Sequence, residues 1–368
     1  MSCSYGPGRY DTNYEEDGHD YPFAYVRWTE QRNMEAFLEL ISKGSLKIKP
    51  LISHVFDIDN AAAAYDLVLG KSTEPSIGIL LRYPHNQQKE STHISVNQVQ
   101  PSAITAGFIG AGSFAQSYLL PNLKGNETSL HTVVTSRGIN SKNVAQKFGF
   151  GFSSSEAKDV LEQTAINTVF IATPHNSHAD YVVKSLQAGK HVFVEKPLAL
   201  TYDQANEVKE AYQKANKLLM VGFNRRFSDA ALAIDAYINT TNEPKVMNFR
   251  INAGFLPKDH WTQKLEIGGG RILGEVCHWV DLMQFFSRSI PKSVYATAAQ
   301  VRNDQYSSSD NVNINISFKD GSVGTITYTA MGDSSLEKEH LEVFCSGKVG
   351  IIHDFKKVSH YSGNREKQ

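Results

Sequence analysis

From residue 104 to about residue 222 the chain alternates short apolar runs with stretches of helical periodicity. Ile104 to Ile109, Thr132 to Thr135, Thr168 to Ala172, His191 to Val194 and Leu218 to Val221 are the runs. Strands of this length separated by amphipathic helices predict a parallel, doubly wound α/β sheet. Beyond about Asn242 the pattern changes. "NVNINISFKDGSVGTITYTA" alternates apolar and polar residues on both sides of Asp320-Gly321, a strong hairpin signal. With Pro291 to Val301 and Leu341 to Cys345 it predicts an open antiparallel sheet, interrupted by one helix near Cys277 to Phe286, in an α+β domain.

The first 84 residues read differently. Met34, Phe37, Leu38 and Ile41 fall on one helical face, Asn60 to Leu69 predicts a second helix, and "SIGILLRY" predicts a closing strand. This is a short α/β piece with a thin core. Residues 85–102, polar, preceded by Pro84 and with Pro101 near their end, predict a linker. The expected organisation is therefore 1–84 as the tail of a larger domain, 85–102 as linker, 103–222 as a Rossmann domain and 223–368 as the antiparallel-sheet domain.

Composition narrows the partners. The 368 residues carry a formal net charge of -1, which gives no electrostatic reason to expect nucleic acid or an anionic membrane. Cys3, Cys277 and Cys345 are too few and scattered for a disulfide framework or a Cys-rich zinc site. No segment approaches the roughly twenty apolar residues of a membrane span, and "MSCSYGPGRYD" lacks the features of a signal peptide. The expectation is a cytoplasmic protein that binds small molecules.

Three stretches carry chemistry. "GFIGAGSFA" sets Gly110, Gly112 and Ala115 at G-x-G-x-x-A spacing directly after a strand, with Ser113 and Phe114 between them. The first glycine permits the tight turn, the second lets backbone approach a pyrophosphate, and the small third residue packs helix on strand. An acid that would grip a ribose 2′-hydroxyl is expected about 20 residues on. Thr135, Ser136 and Arg137 stand there instead, which points to NADP over NAD; the alternative is an exposed loop arginine. "ATPHNSH" places Thr173, Pro174, His175, Asn176 and His178 past another strand end. Without a third ligand at supporting spacing the two histidines read as polar lining of a cofactor cleft, and no metal is expected.

The third stretch, "HVFVEKPLAL", ends an apolar strand on Glu195-Lys196 and Pro197. It puts an ammonium group at the carboxyl end of a sheet strand, where ligands of open α/β sheets sit. Arg225 and Arg226, in "FNRRF", follow the last strand and read either as anion ligands for a cofactor phosphate or charged substrate, or as a surface pair.

Together "GFIGAGSFA", "ATPHNSH", "EKPLAL", "VGFNRRF" and "GGGRILGEVCHWVDL" resemble the Gfo/Idh/MocA family of NAD(P)-dependent oxidoreductases over residues 103–368. The resemblance implies hydride transfer between NAD or NADP and a hydroxyl or keto carbon of a sugar or nucleotide-sugar. It makes Lys196 the residue beside the nicotinamide and His278 the catalytic histidine. An ammonium suits a developing charge on the substrate oxygen, and an imidazole suits the accompanying proton. Many members carry an aspartate four residues before that histidine, where Gly274 stands here. Glu275 points elsewhere on a helix, and Asp281, one turn after His278, could orient the imidazole. Oligomerisation through the antiparallel sheet is also implied. A cofactor-binding sensor that has lost turnover is the alternative reading, favoured by Gly274.

The first 83 residues are similar to the C-terminal end of a zinc-type medium-chain alcohol dehydrogenase through "SCSYGPGRYD", "YVRWTEQRN" and "AAAAYDLV". The combination resembles the bi-domain oxidoreductases of surface-polysaccharide biosynthesis. That resemblance implies a chain clipped at its start and, past "HDFKKVSHYSG", at its end.

Overall fold

The computed structural model describes residues 6–83, 93–99, 102–123, 127–302, 305–363 and 365–367. The first five residues, Pro84, and 85–92 and 100–101 of the expected linker lie outside them. The chain divides into two compact units, residues 1–90 and 91–368.

In the first unit β1 (Ile52–Asp57) and β2 (Gly78–Arg82) pair in parallel, joined by the helix Ala61–Val68. The helix Glu30–Ser42 forms as the periodicity predicts, but its apolar face is uncovered: Met34, Phe37 and Leu38 are more than half exposed. Ala64 and Leu67 are the only buried apolar side chains among the unit's described residues.

The second unit opens with a seven-stranded sheet. Its strands are β3 (Ile94–Ser95), β4 (Ile104–Ile109), β5 (Thr128–Val134), β6 (Phe152–Ser154), β7 (Thr168–Ile171), β8 (His191–Val194) and β9 (Leu219–Val221). The order is β3-β6-β5-β4-β7-β8-β9, all parallel except the antiparallel edge β3. Two strands depart from the sequence expectation. Three residues ending in Ser153-Ser154 give β6 no apolar run to recognise, and β3 lies within the stretch read as a linker. Strand order reverses beside β4, so the carboxyl ends of β4, β5, β7 and β8 surround the switch-point crevice where ligands of such sheets bind. Phe108, Val133, Val169, Ile171 and Val194 fill the core and hold those ends at fixed height.

The second sheet has eight strands: β10 (Val246–Asn252), β11 (Pro291–Ala298), β12 (Asn311–Phe318), β13 (Val323–Thr329), β14 (Glu339–Cys345), β15 (Lys348–His353), β16 (Lys357–Ser362) and β17 (Arg365–Lys367), in the order β11-β12-β13-β10-β14-β15-β16-β17. The Asp320-Gly321 hairpin forms, with Gly321 at φ +92°. One pair, β10 with β13, runs parallel within the otherwise antiparallel sheet. The helices Asp229–Ile238 and Cys277–Ser287 cover one face, burying Ile234, Trp279, Leu282 and Phe286 against Phe249, Ile326 and Leu341. That packing fixes the start of the second helix, which carries His278. No helix among the described residues is long and apolar enough to cross a membrane.

Candidate active site

The glycine-rich turn leaves β4 at Gly110, whose φ of +86° is the left-handed region that glycine enters without steric cost. A Cβ there would lie 2.5 Å from the Ala172 carbonyl oxygen at the end of β7. Gly112 differs: apart from its own chain neighbours, no described protein atom lies within 4 Å of where its Cβ would stand. What that position keeps free is space, in a cavity of about 720 Å³ lined by Gly110, Gly112, Ser113, Ser136, Thr173 and Pro174. A turn whose second glycine opens on so large a cleft, at the switch point, fits a dinucleotide pyrophosphate. Ala115 is buried and packs the following turn onto the sheet.

Beyond β5 the cavity is lined by Ser136 and by Asn140, Asn143 and Lys147 from the helix Gly138–Phe148. Arg137 caps the start of that helix, exposed and outside the lining, so the cation facing the cleft is Lys147, ten residues later than expected. The Thr135 hydroxyl donates to the Arg137 carbonyl. Asn176 is exposed and lines neither this cavity nor the next; its backbone N–H donates to the Ile267 carbonyl.

A second cavity, about 590 Å³, shares Gly112, Ser113, Thr173 and Pro174 with the first. Lys196 and His278 both line it, with His175, Glu195, Phe114 and Trp261. Lys196 reaches in from the end of β8, and its Nζ donates to the Gly274 carbonyl at 2.7 Å. His278 stands in the first turn of its helix, buried, with a buried Nδ1 that finds no hydrogen-bond partner. Burial, then the positive charges of Arg225 and Lys196, hold its pKa far below the ordinary imidazole value. The ring is therefore neutral at physiological pH.

Neither acid considered for His278 is bound to it. Asp281 forms a bidentate ion pair with Arg226, and Glu275 pairs with Arg271, Nε to Oε1 at 2.8 Å. Arg226 is thus paired with Asp281 and lines neither cavity. It ties the turn Asn224–Phe227 to the helix of His278. Arg225 is likewise paired with Glu339 and lies over the Trp279 and Phe355 rings. A single-sequence reading has no access to pairs 55 and 114 residues apart.

The glycine at 274 has a steric account. A Cβ there would meet Cε1 of His175 at 3.3 Å, so the imidazole of His175 fills the space that a side chain at 274 would need. His175 is buried; its Nδ1 donates to the Gly268 carbonyl at 2.8 Å, leaving Nε2 as an acceptor, and burial pushes its pKa down to about 4. The ring is braced edge-on by Trp261, 4.7 Å between centroids. His178 is buried with ring nitrogens 2.7 and 2.9 Å from the carbonyl oxygens of Pro197 and Thr173, joining the two strand ends that carry the site. Trp261, exposed in the irregular segment before Gly268, is a site residue sequence reasoning missed, as are Asn140, Asn143 and Lys147. A lone tryptophan outside any periodic element gave little signal.

Burial raises the Glu195 carboxyl to about 7 from its ordinary 4.5, against the opposing pull of Lys196. Between those values the unfolded chain is ionised and the folded one protonated, so stability falls as pH rises through the window. Glu195→Gln is expected to remove that slope: little change in Tm near pH 4.5, and a gain of roughly 1–3 kcal/mol above pH 7, read by thermal denaturation across pH. A variant that is less stable throughout would contradict the assignment.

The model of the oxidoreductase family with NAD-binding Rossmann fold, Gfo/Idh/MocA, matches residues 104–223, and that of the Gfo/Idh/MocA C-terminal domain matches 242–349. Together they take in more than half of the chain. It belongs to the Gfo/Idh/MocA family of NAD-binding oxidoreductases. The levoglucosan dehydrogenase of Pseudarthrobacter phenanthrenivorans is 30% identical over 151 residues, 38% of this chain and 38% of that protein. The myo-inositol 2-dehydrogenase of Thermotoga maritima is 24% identical over 226 residues, 60% of this chain and 66% of that protein. The chain thus spans between about a third and two thirds of the length of these curated relatives. A solved levoglucosan dehydrogenase in complex with NADH superposes with a TM-score of 0.61 at 20% identity, covering 72% of this chain and 78% of that one, a likeness of fold.

Proposed function

We propose that the chain is an NAD(P)-dependent dehydrogenase that oxidises a secondary alcohol of an uncharged sugar or polyol, or reduces the matching ketone. The observation that carries this reading is the convergence of Lys196 and His278 on one cavity that continues into the glycine-rich cleft. The relatives named for levoglucosan and inositol support the substrate class. An uncharged substrate is favoured over a nucleotide-sugar because the Arg225 and Arg226 guanidinium groups are already paired with Glu339 and Asp281.

In this reading the glycine-rich turn holds the pyrophosphate, and the bound nicotinamide supplies or accepts the hydride. Lys196, held by the Gly274 carbonyl, donates a hydrogen bond to the substrate oxygen, where negative charge develops as the hydroxyl proton leaves or, in the reverse direction, as hydride reaches the carbonyl carbon. Neutral His278 accepts the hydroxyl proton, and its unpartnered Nδ1 imposes no competing hydrogen bond. Trp261 offers an aromatic face to the apolar side of a sugar ring.

We also propose that NADP(H) is accepted at least as well as NAD(H). Among the described residues lining the cleft beyond β5 no carboxylate is present to repel a 2′-phosphate, and Lys147 is placed to attract one. Lys147→Ala is expected to weaken NADPH binding about tenfold and NADH binding less than twofold, by fluorescence titration. Equal losses for both cofactors would overturn the assignment. For residues 1–90, the parallel β1–β2 pair joined by a helix, and the uncovered face of Met34, Phe37 and Leu38, support a unit built to pack against further protein, as in a medium-chain dehydrogenase.

A further inference from the structure

We propose that Glu337, His340 and His353 form a binding site for a divalent transition-metal ion of the zinc class, separate from the dehydrogenase site. His340 and His353 stand directly opposite each other on β14 and β15, and their rings pack 4.9 Å apart between centroids at 68°. Glu337, just before β14, aims its carboxylate at both. Its Oε1 lies 2.8 Å from Nδ1 of His340 and its Oε2 lies 3.7 Å from Nδ1 of His353. One ligand atom from each residue can be chosen so that all three lie within 4.8 Å of one another. All three residues are half-buried, so an ion reaches them from solvent while the two strands hold the imidazoles in place.

The donor set decides the class of ion. Two imidazole nitrogens and one carboxylate oxygen suit Zn²⁺, Ni²⁺, Co²⁺ or Cu²⁺, whereas Mg²⁺ and Ca²⁺ require mostly oxygen ligands. Zinc–nitrogen bonds of about 2.0–2.1 Å place tetrahedral ligands roughly 3.3 Å apart, so the side chains must close by up to about 1.5 Å. Rotamer motion supplies that.

The neighbouring charges fit the same reading. Arg250 Nη2 lies 3.0 Å from Oε1 of Glu337 and its Nη1 donates to the Glu337 carbonyl, which leaves Oε2, the oxygen nearer His353, for the metal. To ligate through Nδ1, His340 must carry its proton on Nε2. Glu342 Oε1 lies 3.6 Å from that nitrogen and can accept it after a small rotation, the carboxylate–histidine arrangement that supports metal ligation. With neutral imidazoles the group of Glu337, Glu342 and Arg250 has net charge -1, favourable for a divalent cation. None of these residues lines either cavity of the dehydrogenase site. The ion would fasten the segment before β14 to β15, so it acts on stability.

The test uses the full chain, stripped with a chelator and titrated calorimetrically with ZnCl₂, NiCl₂ and MgCl₂, with Co²⁺ absorption as a second readout. The expected result is one Zn²⁺ or Ni²⁺ per chain with a Kd on the order of micromolar or tighter, a raised Tm, Co²⁺ d–d bands of low coordination number, and no saturable Mg²⁺ binding. His353→Ala and Glu337→Gln should each weaken Zn²⁺ binding at least tenfold while leaving the metal-free Tm within about 2 °C, since both side chains are half-exposed. Zinc binding of only millimolar strength, or binding that both variants leave unchanged, would overturn the proposal.

Discussion

Lys196→Met is expected to lower kcat by about a thousandfold while changing the Kd for reduced cofactor by less than threefold. The magnitude is that of losing one charged hydrogen-bond donor to a developing oxyanion in a water-poor site, roughly 3–4 kcal/mol. Methionine keeps the length and the apolar stem, so the turn after β8 retains its packing. What disappears is the ammonium now held 2.7 Å from the Gly274 carbonyl. Steady-state kinetics paired with cofactor fluorescence separates the two effects. A parallel loss of cofactor affinity would assign Lys196 to holding the turn rather than to the reaction.

The second large effect is expected from the glycine-rich turn, where two glycines one residue apart should respond in opposite ways. Gly110→Val places a β-branched residue at φ +86° and drives its Cβ to 2.5 Å from the Ala172 carbonyl oxygen. A backbone oxygen at the end of β7 cannot yield without parting β4 from β7, so destabilisation of at least about 3 kcal/mol is expected, together with loss of cofactor binding. Gly112→Ala meets no described protein atom within 4 Å beyond its own chain neighbours. Its stability should stay within about 0.5 kcal/mol of the parent, yet cofactor affinity should fall at least tenfold, because the methyl enters the space reserved for the pyrophosphate. Thermal denaturation and cofactor titration of both variants check the pair; a Gly112→Ala protein that binds cofactor normally would remove the pyrophosphate from that turn.

These two positions also show which parts of the molecule the sequence made legible. The glycine-rich turn is local: a left-handed residue, a close backbone approach and a buried small residue within six positions, each demanding a residue type that can be read directly. The charged end of β8 is local too, since an apolar run that stops on Glu195-Lys196 is visible without partners. The Asp320-Gly321 hairpin follows from period-two alternation on both sides of a turn pair. Where contacts span the chain, the sequence was silent. Asp281 satisfies Arg226 rather than His278, and His175 occupies the space beside Gly274 from 99 positions away. Both outcomes depend on how two domains close over one cleft. Strand β6 was invisible because two of its three residues are serines, and the parallel pairing of β10 with β13 because alternation records exposure, not direction. The uncovered face of the helix Glu30–Ser42 marks the limit of periodicity, which predicts an apolar stripe but not what covers it.

Gly274 illustrates how a departure from a family pattern gains a physical meaning. Read as a missing acid it favoured a sensor without turnover. In the structure its carbonyl receives the Lys196 ammonium and its absent side chain makes room for His175. A site that has given up chemistry has no reason to hold a lysine at that oxygen or a neutral histidine across the same cavity.

The most direct test follows the appearance of reduced nicotinamide when the full chain is mixed with NAD⁺ or NADP⁺ and a panel of neutral sugars and polyols, with Lys196→Met run in parallel. Saturable turnover on at least one of them, about a thousandfold slower in the variant, is the predicted result. Turnover that the variant leaves intact, or a chain that binds neither cofactor below millimolar concentration, would contradict the dehydrogenase assigned to this site.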